Sequence, residues 1–62
     1  MFSDNLKKIM QEKNENVPTV SNETGIPVTT LYDWVHGRSL PPADKLKVLA
    51  IHFEKTADEL LE

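Results

Sequence analysis

The stretch GIPVTTLYDWVHGR, residues 25–38, carries the most information about the fold of this chain. Its two glycines, Gly25 and Gly37, are typical of residues that end helices in the left-handed conformation. Between them, Leu31 and Trp34 are spaced for one helical face, because residues three or four positions apart lie on the same side. We therefore predict a short helix between the glycines, held by an inward face and presenting a second face outward.

Helical periodicity also dominates the rest of the chain, and no strand-like alternation is convincing. Asn16 and Thr56 are good N-caps, because their side-chain oxygens accept a hydrogen bond from a free amide of the first turn. Thr56 and Glu59 together form a capping-box pattern. Ser3 is the expected N-cap of the first helix. The five predicted helices cover about residues 3–13, 17–24, 28–35, 42–53 and a last segment beginning at residue 56.

Sixty-two residues form one domain at most, here residues 1–62, and such a chain buries only a small core. We expect Trp34 in that core rather than stacked on a ligand, because it shares a face with Leu31. The predicted core residues are Phe2, Leu6, Ile9, Met10, Val20, Ile26, Leu31, Trp34, Leu46, Leu49, Ala50, Phe53, Leu60 and Leu61.

The composition argues against a membrane or secreted protein. The chain has no cysteine, so neither a disulfide nor a thiolate zinc site supports the small core. Its N-terminus, MFSDNLKK, lacks a signal-peptide pattern, and no apolar run approaches membrane-spanning length. The expected location is therefore the cytoplasm.

Nothing in the sequence indicates an enzyme, a cofactor or a metal site. No set of residues resembles a nucleophile with its base, and the domain is too small for a deep pocket. His36 and His52 have no partner ligands at metal-binding spacing along the chain. The carboxylates of Asp58, Glu59 and Glu62 are expected to form a solvated helix face.

The segment GIPVTTLYDWVHGR, followed by LPPADKLKVLAIHF and TADELL, resembles the Cro/cI (XRE) family of phage and bacterial repressors. The resemblance runs over about residues 6–61. It implies an all-α, compact five-helix, lambda-repressor-like domain in which helices two and three form a helix-turn-helix. The matching residues in register are Gly25, Ile26, Thr30, Leu31, Trp34, Gly37, Pro42, Leu46, Ala50, Phe53 and Leu60.

The resemblance also implies double-stranded DNA as the partner, with the third helix in the major groove. Base-reading positions then fall near the start of that helix, and phosphate-gripping positions flank it at Asn16 and Arg38. Tyr32 lies close by and is equally well explained as a solvent-facing residue. For Thr29 and Thr30, the alternative role is to cap the third helix. The implied DNA-binding residues are Asn16, Val28, Thr29, Thr30, Tyr32, Asp33 and Arg38.

The chemistry of these side chains suits base edges to different degrees. Val28 can make only apolar contacts, so a thymine methyl group is its natural target. The hydroxyls of Thr29 and Thr30 can bond to bases or phosphates. Asp33 can accept a hydrogen bond from the amino group of cytosine, or it can repel phosphates.

Three departures from the family pattern have structural consequences. Pro27 stands where relatives usually carry a capping Ser or Thr, so that cap is lost. Glu54 stands where they usually have Gly, so we expect the turn after helix four to differ. Met10 and Val35 occupy the positions of an ion pair found in many relatives, and we predict an apolar contact in its place.

These observations predict sequence-specific DNA binding by a transcriptional repressor, acting as a homodimer on two half-sites. The net charge of −3 weighs against this interpretation, because most nucleic-acid-binding domains are basic. The alternative is a protein-interaction module on the same fold, with weak DNA binding or none. Val48 and Ile51, which are predicted to point outward from helix four, would then mark a partner surface. Either interpretation fits a whole protein or a fragment of a longer regulator.

Overall fold

The computed structural model describes all 62 residues and contains five helices and no strand. The helices are α1 (Phe2–Glu12), α2 (Val17–Thr24), α3 (Val28–Val35), α4 (Ala43–Phe53) and α5 (Ala57–Leu61). α1 packs on α3 and α5, α2 packs on α3 and α4, and α4 also packs on α5. The predicted all-α five-helix architecture is therefore confirmed. None of the five helices has the length and apolar character needed to cross a membrane.

The start of α1 differs from the prediction. The helix begins at Phe2 with Met1 as N-cap, and no side chain caps it, so the assignment of Ser3 as N-cap is wrong. Phe2 is buried in the core, which explains why the helix begins early enough to carry it. Ser3 lies within the first turn instead, beside Gly37: a Cβ added to Gly37 would lie 3.5 Å from the Ser3 hydroxyl oxygen.

The core consists of 13 buried residues, all of them apolar, and no polar residue is buried. The first and last helices are also joined by a hydrogen bond, in which Asn5 Nδ2 donates to the Leu60 carbonyl over 3.0 Å. The core residues are Phe2, Leu6, Ile9, Met10, Val17, Val20, Ile26, Leu31, Trp34, Leu49, Ala50, Phe53 and Leu60. Most of the predicted core is confirmed, including Trp34.

The predicted distribution between core and surface is corrected at three residues, and the prediction that Ile51 points outward is confirmed. Leu46 is half-buried and packs against the core without belonging to it. Leu61 is exposed rather than buried, because α5 is only five residues long and turns a single side chain, Leu60, into the core. Val48 was predicted to point outward, but it is half-buried and packs against the core. Ile51 is exposed, with 69% of its surface accessible.

Each connection between helices contains one residue in the left-handed conformation, with φ between 57° and 78°. After α1, α3 and α4, this residue and the next donate their amides back to the last turn of the helix. After α4, for example, Glu54 N bonds to Ile51 O over 3.2 Å and Lys55 N bonds to Ala50 O over 2.9 Å. This is the Schellman motif. The four left-handed residues are Asn14, Gly25, Gly37 and Glu54.

Glu54 therefore occupies a position that favours glycine. Its φ of 58° and ψ of 43° are the left-handed values that a glycine would take, so the predicted difference in this turn is not found. The side chain brings a steric cost instead, on the order of 1 kcal/mol for a residue with a Cβ in this conformation.

We predict that Glu54→Gly raises the free energy of unfolding by about 1 kcal/mol, because it removes this cost. For a domain of this size, that corresponds to an increase in Tm of roughly 4–8 °C, measurable by circular dichroism. Glu54→Ala is the matched control, since it removes the carboxylate and keeps the Cβ. An equal gain in Glu54→Ala would mean that the charge of Glu54, not its backbone, is unfavourable.

The capping box of α5 forms as predicted. Thr56 Oγ1 accepts from Glu59 N over 3.1 Å, and Glu59 Oε1 accepts from Thr56 N over 2.9 Å. The hydrogen bonds from the Thr56 backbone and side chain lower the pKa of Glu59 below its ordinary value of 4.5, with a smaller contribution from the Lys55 charge. A lowered pKa means that the ionised carboxylate stabilises the fold above about pH 4.5 and that this stabilisation disappears as the pH falls.

We predict that Glu59→Gln makes the loss of stability in acid shallower than in the wild type. Glutamine keeps an acceptor for the capping box but cannot ionise, so it removes only the pH-dependent part. The measurement is urea unfolding from neutral pH down to about pH 3. Glu62→Gln, at the end of the same helix and outside the capping box, is the control. Parallel pH profiles for Glu59→Gln and wild type would contradict the prediction.

Candidate nucleic-acid interface

The turn between α2 and α3 is held by its own side-chain and backbone bonds. Gly25 has a φ of 78°, and its amide donates to Ser21 O over 2.9 Å. A Cβ at Gly25 would meet no atom within 4 Å, so the backbone conformation alone calls for glycine. Thr24 Oγ1 donates to Val20 O over 2.6 Å and accepts from Ile26 N over 3.3 Å. Ile26 is buried directly after the turn, which fixes the direction in which α3 leaves.

α3 is divided sharply into an inner and an outer face. Leu31 and Trp34 are almost completely buried and attach the helix to the rest of the domain. The opposite face is open to solvent, and it contains the predicted reading residues. Of these, Val28, Thr29 and Tyr32 are exposed, and Thr30 and Asp33 are half-buried.

The N-terminus of α3 has free backbone donors. Pro27 is the N-cap and no side chain bonds to the first turn, which agrees with the predicted loss of the cap. The first helical hydrogen bond runs from Leu31 N to Pro27 O, so the amides of Val28, Thr29 and Thr30 have no partner in the protein. Neither threonine caps the helix. Free amides together with the helix dipole favour an anion at this end.

Asn16 combines a structural role with a free donor. Its Oδ1 accepts a hydrogen bond from Thr19 N over 2.9 Å, which makes it the N-cap of α2 as predicted. The same side chain is exposed, and its amide nitrogen has no partner. Asn16 can therefore donate to an external oxygen without giving up its cap.

Arg38 is positioned by the turn that ends α3. Gly37 N bonds to Trp34 O over 3.2 Å, and Arg38 N bonds to Asp33 O over 2.8 Å. The Arg38 guanidinium then lies 3.4 Å from the Asp33 carboxylate, and both side chains are largely exposed. The structure thus pairs two residues that sequence reasoning treated separately. Their separation of five positions is not a helical contact spacing, and only the Schellman turn at Gly37 brings them together.

Two further residues near this face were missed by sequence reasoning. His36 stacks on Tyr32 with ring centroids 6.1 Å apart, and His36 Nδ1 lies 2.8 Å from Tyr32 O. Lys7 of α1 lines a shallow groove that also includes Asn16. The four-residue spacing of Tyr32 and His36 indicates from the sequence that these two rings lie close together. No sequence pattern relates Lys7 to Asn16.

The groove beside Asn16 also contains the replaced ion-pair position. Met10 from α1 and Val35 from α3 line the same groove, and both pack in or against the apolar core. This placement agrees with the predicted apolar substitution.

The charge of this region is low. From residue 16 to residue 43, Arg38 is the single cation and the acids are Glu23 and Asp33, so the formal charge is +1 − 2 = −1. Lys7 and Glu15, both outside the segment, line the same groove as Asn16 and carry opposite charges. The face therefore offers anions mainly neutral donors, namely three helix amides and one side-chain amide.

The fold adds one cluster that spacing along the chain does not show. His52 of α4 has no partner ligands at metal-binding spacing in the sequence, but Glu15 and Glu23 lie beside it in the structure. The three residues lie in the α1–α2 turn, in α2 and in α4, so their spacing in the sequence did not reveal the cluster.

The chain matches a known protein family along most of its length. A family model described as Cro/C1-type HTH DNA-binding domain matches residues 5–62, a range that contains α2 to α5 and most of α1. Neither the curated proteins nor the solved structures gave a match to the chain.

Proposed function

The chain belongs to the family of Cro/C1-type helix-turn-helix DNA-binding domains, and on this premise we propose that it is a phage or bacterial repressor that binds a specific operator. α3 enters the major groove with its N-terminus toward the bases, and α2 crosses the backbone. The observation that carries this proposal is the outer face of α3, exposed along its length while Leu31 and Trp34 anchor its inner face. The cytoplasm, where such a regulator meets DNA, is the proposed location.

Base reading falls to the first two turns of α3. Val28 offers methyl groups to a thymine methyl, and Thr29 offers both a hydroxyl and a methyl group. Thr30 is half-buried, so its hydroxyl reaches a phosphate more readily than a base. Tyr32, which is stacked on His36 and exposed, extends the contact toward the flanking backbone.

Phosphate binding depends on neutral donors and two cations. The free amides of Val28 and Thr29 and the unpaired Asn16 amide nitrogen hold phosphates without adding charge. Lys7 supplies a positive charge beside Asn16, and Arg38 supplies another beyond the other end of α3. Since few counterions are released by so few cations, we expect binding that depends only weakly on salt.

A homodimer compensates for the small interface of one domain. Two copies double every contact and read half-sites one helical turn apart, roughly 34 Å. Val48 packs against the core, so it does not contribute to the proposed partner surface. Ile51 is exposed and is the apolar residue that this surface retains.

We predict that Thr29→Ala weakens binding to a selected operator about fivefold, because it removes a single side-chain hydrogen bond worth about 1 kcal/mol. Arg38→Ala should weaken binding to all duplexes similarly and reduce the salt slope by about 1, because it removes a phosphate contact. Binding is measured by fluorescence anisotropy at several salt concentrations, after operator selection from a random duplex library.

Lys47→Ala, an exposed cation on α4, is the control for Arg38→Ala and should bind like the wild type. An NMR amide titration maps the contact independently. We expect shifts at Asn16, Val28–Asp33 and Arg38. If Thr29→Ala and Arg38→Ala both leave DNA binding unchanged, the proposal is wrong, and a protein-interaction module becomes the better account.

We also predict that Asp33→Asn strengthens binding to mixed-sequence DNA about threefold, in line with the value of roughly 0.2–1 kcal/mol for an exposed ion pair. The substitution removes an anion from the face and releases Arg38 for a phosphate. Asp44→Asn, in the first turn of α4, is the charge-matched control. Weaker operator binding together with unchanged mixed-sequence binding would instead identify Asp33 as a direct base contact.

A further inference from the structure

The cluster of Glu15, Glu23 and His52 shares Glu15 with the groove beside Asn16 and otherwise lies outside the proposed DNA-reading face. His52 Nε2 is 2.6 Å from Glu15 Oε1, and His52 Nδ1 is 3.8 Å from Glu23 Oε1. One ligand atom from each of the three residues lies within 4.8 Å of the other two. The cluster joins the α1–α2 turn, α2 and α4.

Two of the three side chains are held in place. The His52 side chain is only 13% exposed, and its ring packs edge-on against Phe53 with centroids 4.8 Å apart. Glu15 is the residue after left-handed Asn14, and its amide is bonded to Met10 O over 2.9 Å. Glu23 is 52% exposed, so its carboxylate is free to adjust.

The two carboxylates have no permanent cation. Neither Glu15 nor Glu23 lies within ion-pair distance of any lysine or arginine, and His52 is their common neighbour. Lys55 lies 3.9 Å from Glu12 and 4.0 Å from Glu59 instead. The carboxylates of Glu15 and Glu23 therefore leave negative charge without a lysine or arginine partner next to the largely buried ring of His52.

We propose that Glu15, Glu23 and His52 bind a divalent transition-metal ion, for which Zn²⁺ is the best fit. Zn²⁺ takes imidazole nitrogen and carboxylate oxygen at about 2.0–2.2 Å, and three protein ligands leave a fourth position for water. Mg²⁺ and Ca²⁺ prefer oxygen ligands alone, so the imidazole selects against them. In a tetrahedral site the ligand atoms would be about 3.4 Å apart. Glu15 lies at Nε2 of His52 and Glu23 at Nδ1, so the exposed Glu23 carboxylate has to move toward the nitrogen that binds the ion.

Proton balance is simple at this site. The short contact between His52 Nε2 and Glu15 Oε1 holds one proton. A neutral imidazole keeps one N–H when its other nitrogen binds an ion. Zn²⁺ therefore breaks the hydrogen bond between His52 and Glu15, the ring proton stays on the nitrogen that does not bind the ion, and no net proton is released. The bound ion then links α2 to α4 directly, next to the N-cap of α2.

The experiment is calorimetric titration of the whole chain with ZnCl₂ in a non-coordinating buffer, without DNA. We expect one ion per chain. His52→Gln and Glu23→Gln are each expected to weaken binding at least tenfold, since each removes a ligand. Glu23→Gln is the safer variant for folding, because this side chain is largely exposed.

His36→Gln removes the other histidine of the chain and is the matched control. Its Zn²⁺ affinity should equal that of the wild type, and Zn²⁺ should raise the Tm of both by more than the Tm of Glu23→Gln. Unchanged affinity in Glu23→Gln and His52→Gln would overturn the proposal, as would loss of binding in His36→Gln. Because DNA is absent throughout, failure of this site would leave the proposed operator binding untouched.

Discussion

The four left-handed residues, one in each connection, are the constraint on which the whole domain depends. At each turn the chain leaves a helix, and amides of the turn donate hydrogen bonds to carbonyls in the last turn of that helix. The helix ends are therefore defined locally, without help from distant elements. With four directions fixed in this way, a core of only 13 apolar residues is sufficient to hold five short helices together.

The outer face of α3 is a direct result of this arrangement. The turn at Gly25 directs α3 outward from α2, and the turn at Gly37 ends it after two turns, so that Arg38 reaches back toward Asp33. Net charge is a poor guide to function in such a domain. An acidic chain can still approach a polyanion where helix amides and an asparagine face it, because these donors act over a few ångströms and the net charge is spread over the surface.

Sequence reasoning succeeded where the determining interactions are local. The bounds of α2 and α3, the caps at Asn16 and Thr56 and most of the core follow from spacing within a few residues. It failed where tertiary packing decides. Phe2 draws α1 one residue earlier, and Val48 is covered although the pattern of α4 alone places it outside. The contacts of His52 depend on three separate elements, and no periodicity within one helix encodes them.

The hydrogen bond between Asn5 and the Leu60 carbonyl has a consequence for the entropic cost of folding. It closes a loop of nearly the entire chain, 55 positions, whereas the turns close within six residues. The entropic cost of such a closure is on the order of 3–4 kcal/mol, larger than for any pair of helices nearer in the chain. The contact between α1 and α5 is therefore the costliest of the fold in loop entropy, whereas α5 also packs on α4, its neighbour in the chain. The contacts of the helix-turn-helix span a much shorter stretch and close at a lower entropic cost.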